Sequence, residues 1–107
     1  MHNKTIEKLE NEIKQIKKQI QAMGDMRPGS LTQQTFKRGD YTRPYWQISY
    51  TLNKKSKTEY VREESVKVLQ REIAEYQNFK KLTAEWVELA IKLSKEKIKM
   101  KNESNST

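Results

Sequence analysis

Lys37, Arg38 and Arg43 form one tight cluster of cations, Lys54, Lys55 and Lys57 form a second, and Tyr45 stands between them. The chemistry open to these residues is recognition of phosphate and of flat rings. Arginine grips a phosphate through two parallel N–H donors and also stacks on bases, whereas lysine acts as a flexible point charge. A phenol ring offers any nucleobase a face to stack on. These seven residues are the candidate nucleic-acid contacts.

Charge bookkeeping points the same way. Lys and Arg number 22 against 14 Asp and Glu, a formal net charge of +8 at pH 7. Five of those net charges fall in residues 25–62, while the segments before and after are nearly balanced. A local excess of that kind favours a polyanionic partner, nucleic acid before an acidic membrane surface.

Catalysis finds no footing. There is no cysteine, and the single histidine is His2, at the extreme terminus. No glycine-rich phosphate loop, nucleophile–histidine pair or metal-binding spacing occurs. The expectation is therefore no enzyme, no cofactor, no metal and no small-molecule substrate. Arg38-Gly39-Asp40 matches an integrin-binding tripeptide, but Gly39 and Asp40 are what a tight turn needs. No apolar run approaches the roughly 18–20 residues that span a bilayer, and the start lacks a signal-peptide core, which makes cytoplasm the expected compartment.

The elements that must position these residues are legible in the apolar periodicity. Ile6, Leu9, Ile13, Ile16, Ile20 and Met23 are spaced three and four apart, a heptad seam on a helix over 4–23. Asn3 or Thr5 can cap its start, and Gly24 is placed to stop it. Asp25 to Ser30 break the chain. Residues 30–62 then read as a three-stranded antiparallel meander: LTQQTF, a loop KRGDYTR, the strand PYWQISYTL, a turn NKKSK and the strand TEYVR. Pro44 suits a strand start or an edge.

Within PYWQISYTL, strict alternation separates Trp46, Ile48, Tyr50 and Leu52 from Tyr45, Gln47 and Ser49. The first set is expected to fill the core. A stacking role narrows to Tyr45, helped by Tyr41 in the preceding loop. The two cationic clusters, lying in successive loops, are expected at opposite ends of the sheet.

Residues 63–101 read as one long helix, with Glu63 and Glu64 favouring its N-terminus. Its apolar positions run from Val66 through Leu69, Ile73, Tyr76, Phe79, Leu82, Trp86 and Leu89 to Leu93. If this helix pairs antiparallel with the first from its own start, its second half overhangs. Trp86, Leu89 and Leu93 would then pack on a second copy of the chain. The polar tail 102–107 is expected to be disordered, leaving one domain over 1–101.

The ordered set Gly29-Ser30-Leu31, Pro44-Tyr45-Trp46-x-Ile48-Ser49, Lys57-x-x-Tyr60-Val61 and Tyr76-x-x-Phe79-x-x-Leu82 resembles a small prokaryotic domain family of unknown function. Members of that family are often found in or beside transposases and other mobile elements. The resemblance spans about residues 27–93. Family members carry several cysteines and a histidine in the loop before Pro-Tyr; here that loop is TFKRGDYTR, with neither. The metal role that the resemblance implies is therefore lost from this chain.

The reading is an α+β protein: N-terminal helix, three-stranded meander, long C-terminal helix, with the helices paired. The expected function is non-enzymatic nucleic-acid binding, DNA rather than RNA, as an accessory of a mobile element that dimerises and associates with a transposase or recombinase. The alternative is a protein–protein adaptor that docks through its helices, its positive charge incidental.

Overall fold

The computed structural model describes residues 3–105. In chain order the elements are α1 (Lys4–Gln21), β1 (Ser30–Arg38), β2 (Tyr41–Leu52), β3 (Lys55–Val61), a single 3-10 turn (Glu63–Ser65) and α2 (Val66–Asn105). The architecture is α+β. The chain divides into two compact units, one over Gly24–Asn78 and one made of residues up to Met23 with those from Phe79 onward.

The first of these units contains the sheet, with strand order β1-β2-β3, both neighbours antiparallel. Its connections are shorter than the sequence reading allows. Arg38 pairs with Tyr41 across Gly39 and Asp40, and Leu52 pairs with Lys55 across Asn53 and Lys54. Gly39 takes φ +61°, and Asn53 and Lys54 take +52° and +66°. Positive φ at both central positions, as at Asn53-Lys54, or at the first alone, as at Gly39-Asp40, marks the two-residue hairpin turns whose twist matches that of the flanking strands. The expected loop KRGDYTR is therefore mostly strand.

Pro44 lies inside the central strand, where a proline ordinarily costs a ladder hydrogen bond. The resolution is local: β3 ends at Val61, which pairs with Trp46, so β2 has no β3 neighbour at Pro44. Its missing N–H costs no ladder bond on that side.

One face of the sheet is covered by the first turns of α2. Ile48, Val61, Val66 and Leu69 form the buried cluster, with Leu31, Trp46 and Ile73 packed around it. Ile48, at 0% exposure, is its centre; burying such a side chain stabilises by about 1.5–3 kcal/mol. Gly29, at φ +147°, crosses directly above it: a Cβ there would stand 2.8 Å from Ile48 Cγ1. The core placement expected for Trp46 and Ile48 holds, but Leu52, at the strand end, is 51% exposed.

Tyr50 sits at the rim. Its hydroxyl donates to Glu59 Oε1 at 2.6 Å, and Arg27 both pairs with Glu59 Oε2 at 2.8 Å and lies 5.2 Å from the Tyr50 ring centroid. The segment leading to β1 is tied to α2 through its backbone. Arg27 N–H donates to the Glu72 carbonyl at 3.1 Å and Gly24 N–H to the Glu75 carboxylate at 3.2 Å. Gly24 thus does not end α1 through a left-handed cap. The helix stops earlier, with Ala22 as its C-cap and the Ala22 N–H bonded to the Lys18 carbonyl at 3.1 Å.

In the second unit, Asn3 caps α1, its side-chain oxygen accepting from the Thr5 and Ile6 N–H groups at 3.0 and 3.1 Å. Ile6, Leu9, Ile13 and Ile16 are buried along the expected seam. Lys17 Nζ lies 5.2 Å from the Trp86 ring centroid, and the Asn3 amide approaches the Met100 sulfur at 3.8 Å. From 3 to 17 on α1 the partner position runs from 100 back to 86, so the helices pair antiparallel.

This corrects the expected overhang. The sheet occupies the first turns of α2, through Ile73. The later part is what α1 covers, and Trp86, Leu89 and Leu93 are half-buried within their own chain. The tail expected to be disordered from 102 continues α2 through Asn105; residues 106 and 107 lie outside the described ones.

Candidate nucleic-acid interface

Strand alternation decides where each candidate contact points. In an antiparallel pair, residues directly opposite share a face, and the face changes at every step. Ile48 fixes the covered face, so Leu31, Gln33 and Lys37 of β1 share it, as do Lys55, Lys57 and Glu59 of β3. The open face therefore carries Phe36 and Arg38 from β1, Tyr41, Arg43 and Tyr45 from β2, and Thr58 and Tyr60 from β3.

The six candidate cations thus do not form one surface. Arg38, Arg43 and Tyr45 come together on the open face. Lys37 alternates to the other side, as do Lys55 and Lys57, and Lys54 occupies the tip of the second turn. Lys57 also lies close enough to Glu59 to help hold that carboxyl below its ordinary range. All six are exposed. As expected, the two clusters lie toward opposite ends of the sheet: Arg38 pairs with Tyr41 at one end of β2 and Lys55 with Leu52 at the other, while Arg43 and Lys57, opposite Tyr50, stand about 23 Å apart along it.

The arginine-rich end carries rings that the sequence reading passed over. Tyr45 pairs with Gln34 and Tyr60 with Gln47, which makes Tyr45 and Tyr60 diagonal neighbours. Their ring centroids are 6.5 Å apart and their planes 27° from parallel. Phe36 pairs directly with Arg43, one diagonal step from Tyr45 on the other side. Phe36, Arg43, Tyr45 and Tyr60 line a shallow groove open to solvent. Phe36 is 49% exposed, Tyr60 62% and Tyr41 57%.

Phe36 and Tyr60 were findable. Gly-Asp flanked by alternating residues is a two-residue hairpin signal. Had Gly39-Asp40 been given that turn, the register would have put Phe36 on the face of Tyr45. A loop over residues 37–43 carries no register and leaves Phe36 unplaced.

Around the covered face, the Tyr50 phenol is raised above its ordinary range, chiefly by its hydrogen bond to the Glu59 carboxylate. Glu59 is lowered, first by that same bond and then by the one from Arg27. This is a structural triad at the rim of the core. Among the described residues no group of three or more His, Cys, Asp or Glu is placed to hold a metal ion. No helix is long and apolar enough to cross a membrane.

Fold and surface together define a class: an α+β chain whose small sheet is covered on one face and presents aromatic rings and arginines on the other. A family model described as a domain of unknown function, DUF6788, matches residues 6–71, well over half of the chain, and the chain belongs to that family. The match begins at the first residue of the α1 seam and ends in the opening turns of α2, taking in the whole sheet. The search of curated proteins and the search of solved structures each returned no significant match.

Proposed function

We propose that the protein is a non-enzymatic DNA-binding accessory factor whose sheet contacts phosphates. The observation that carries this reading is the concentration of exposed cations on β1–β3, with Arg38 and Arg43 on the same face as Tyr45, opposite the face that the first turns of α2 cover. The mobile-element setting, with a transposase or recombinase as partner, rests on the motif resemblance. Recurrent transposase or recombinase genes beside the coding gene would support it.

The test is a gel shift with arbitrary duplex and single-stranded DNA at about 50 and 200 mM salt. Binding that falls steeply between the two is expected, because each neutralised phosphate releases condensed counterions. Failure to bind either form at the lower salt would reject the proposal.

The expected dimer through Trp86, Leu89 and Leu93 would draw on side chains that are half-buried in their own chain, with Lys17 of α1 over the Trp86 ring. The adaptor reading keeps one observation in its favour: Val87, Ile91 and Ile98 of α2 are each at least half exposed. It expects no salt-sensitive DNA binding, so the same gel shift separates the two.

A further inference from the structure

We infer that the open face of the sheet is a base-stacking platform for single-stranded DNA, with Phe36, Tyr45 and Tyr60 receiving bases and Arg43 the backbone. The inference rests on the proposed function and sharpens it from duplex or single strand to single strand alone.

Three observations converge on it. The rings come one from each strand, on a diagonal row across β1, β2 and β3, so successive bases of an extended strand meet successive rings. The Tyr45 and Tyr60 rings stack with centroids 6.5 Å apart and planes 27° from parallel, so they form one aromatic unit beside Phe36. And exposure is unusual for such rings: a sheet face with nothing to bind gains from polar side chains, yet Phe36 and Tyr60 remain 49% and 62% exposed.

Duplex DNA does not answer this geometry. Its bases are stacked on one another and offer only their edges in the grooves. A single strand can turn its bases outward onto aromatic side chains, with cations tracking its phosphates. The charge completes the match. Arg43 lines the groove with the rings, and Arg38, paired with Tyr41, lies on the same face. The other end of the open face bears hydroxyls, with Ser49 and Thr58 joined at 3.2 Å. The platform is therefore confined to the arginine-bearing half.

The test uses the full chain and fluorescence anisotropy with an oligothymidylate of about 15 nucleotides, the same strand annealed to its complement, and an oligouridylate of equal length. The single strand is expected to bind about tenfold more tightly than the duplex. Tyr45→Ala and Tyr60→Ala should each weaken single-strand binding roughly tenfold while leaving its salt slope unchanged. Arg43→Ala should weaken it and make the slope shallower by about 0.7. Tyr60→Leu retains apolar bulk on the strand and should lose affinity nearly as much as Tyr60→Ala; far-ultraviolet circular dichroism verifies that each variant is folded.

Equal or tighter duplex binding, or ring variants that bind like the parent, would overturn the platform and leave the phosphate-contacting reading standing. Tighter binding of the oligouridylate would overturn the assignment to DNA. Absence of binding to all three probes would overturn both readings together.

Discussion

Single residues govern this protein through close approach and through paired charge. Gly29 has no substitute: its backbone takes a positive φ and its missing Cβ leaves room for Ile48. Gly29→Ala should lower the stability of the unit by roughly 1–3 kcal/mol, read as a lower urea midpoint at unchanged m-value. The Arg27–Glu59–Tyr50 triad makes stability depend on pH in two directions. Glu59, lowered in the fold, contributes above the ordinary carboxylate range, and that contribution is lost as pH falls through its folded value. Tyr50, raised in the fold, contributes below the ordinary phenol range, and that contribution is lost as pH rises through its folded value. Glu59→Gln should therefore be less stable than the parent at neutral pH, and the gap should close below about pH 4. Thermal melts across the acid range measure it. A gap that stays constant would show that the carboxylate's charge is immaterial.

At the scale of elements, α2 serves two partners in turn. Val66, Leu69 and Ile73 lie over Ile48 of the sheet; the residues from Phe79 onward face α1. The three-residue steps from Tyr76 to Phe79 to Leu82, visible in the sequence as a break in heptad spacing, fall where one unit ends and the other begins. Trp86 is part of the α1 packing, with the Lys17 ammonium over its ring. Trp86→Glu is accordingly expected to destabilise the helix pair by roughly 1–3 kcal/mol, seen as early loss of helical circular dichroism. Sedimentation should give the same mass for parent and variant at temperatures where both are folded. A halved mass would restore the intermolecular interface that the fold argues against. The sheet shows the complementary lesson: two-residue hairpins move five of the six candidate cations into strands, where alternation rather than loop flexibility decides which way they point.

For the molecule as a whole, a charge of +8 and a pI near 9.7 give attraction to any polyanion. The proposed platform would add, through its rings, an attraction that only bases can satisfy. These contributions separate on heparin, which carries charge without bases. The parent should bind heparin and elute with salt, Tyr45→Ala and Tyr60→Ala should elute with it, and Arg43→Ala should elute earlier. Earlier elution of the ring variants would mean that the substitutions disturb the fold or the charge rather than a stacking contact.

How much of this was readable beforehand follows from the range of the forces involved. Local periodicity determined the α1 seam, the alternation of β2, the core position of Ile48 and the order of elements, because burial of one stripe or one face imposes its period on the residues that make it. The local charge count located the basic region in the same way. Which half of α2 meets α1, and that Phe36, Tyr45 and Tyr60 stand in one row with Arg43, were decided only by tertiary structure. Helix pairing depends on what the sheet has already covered, and a shared face depends on a register that one misjudged turn reverses.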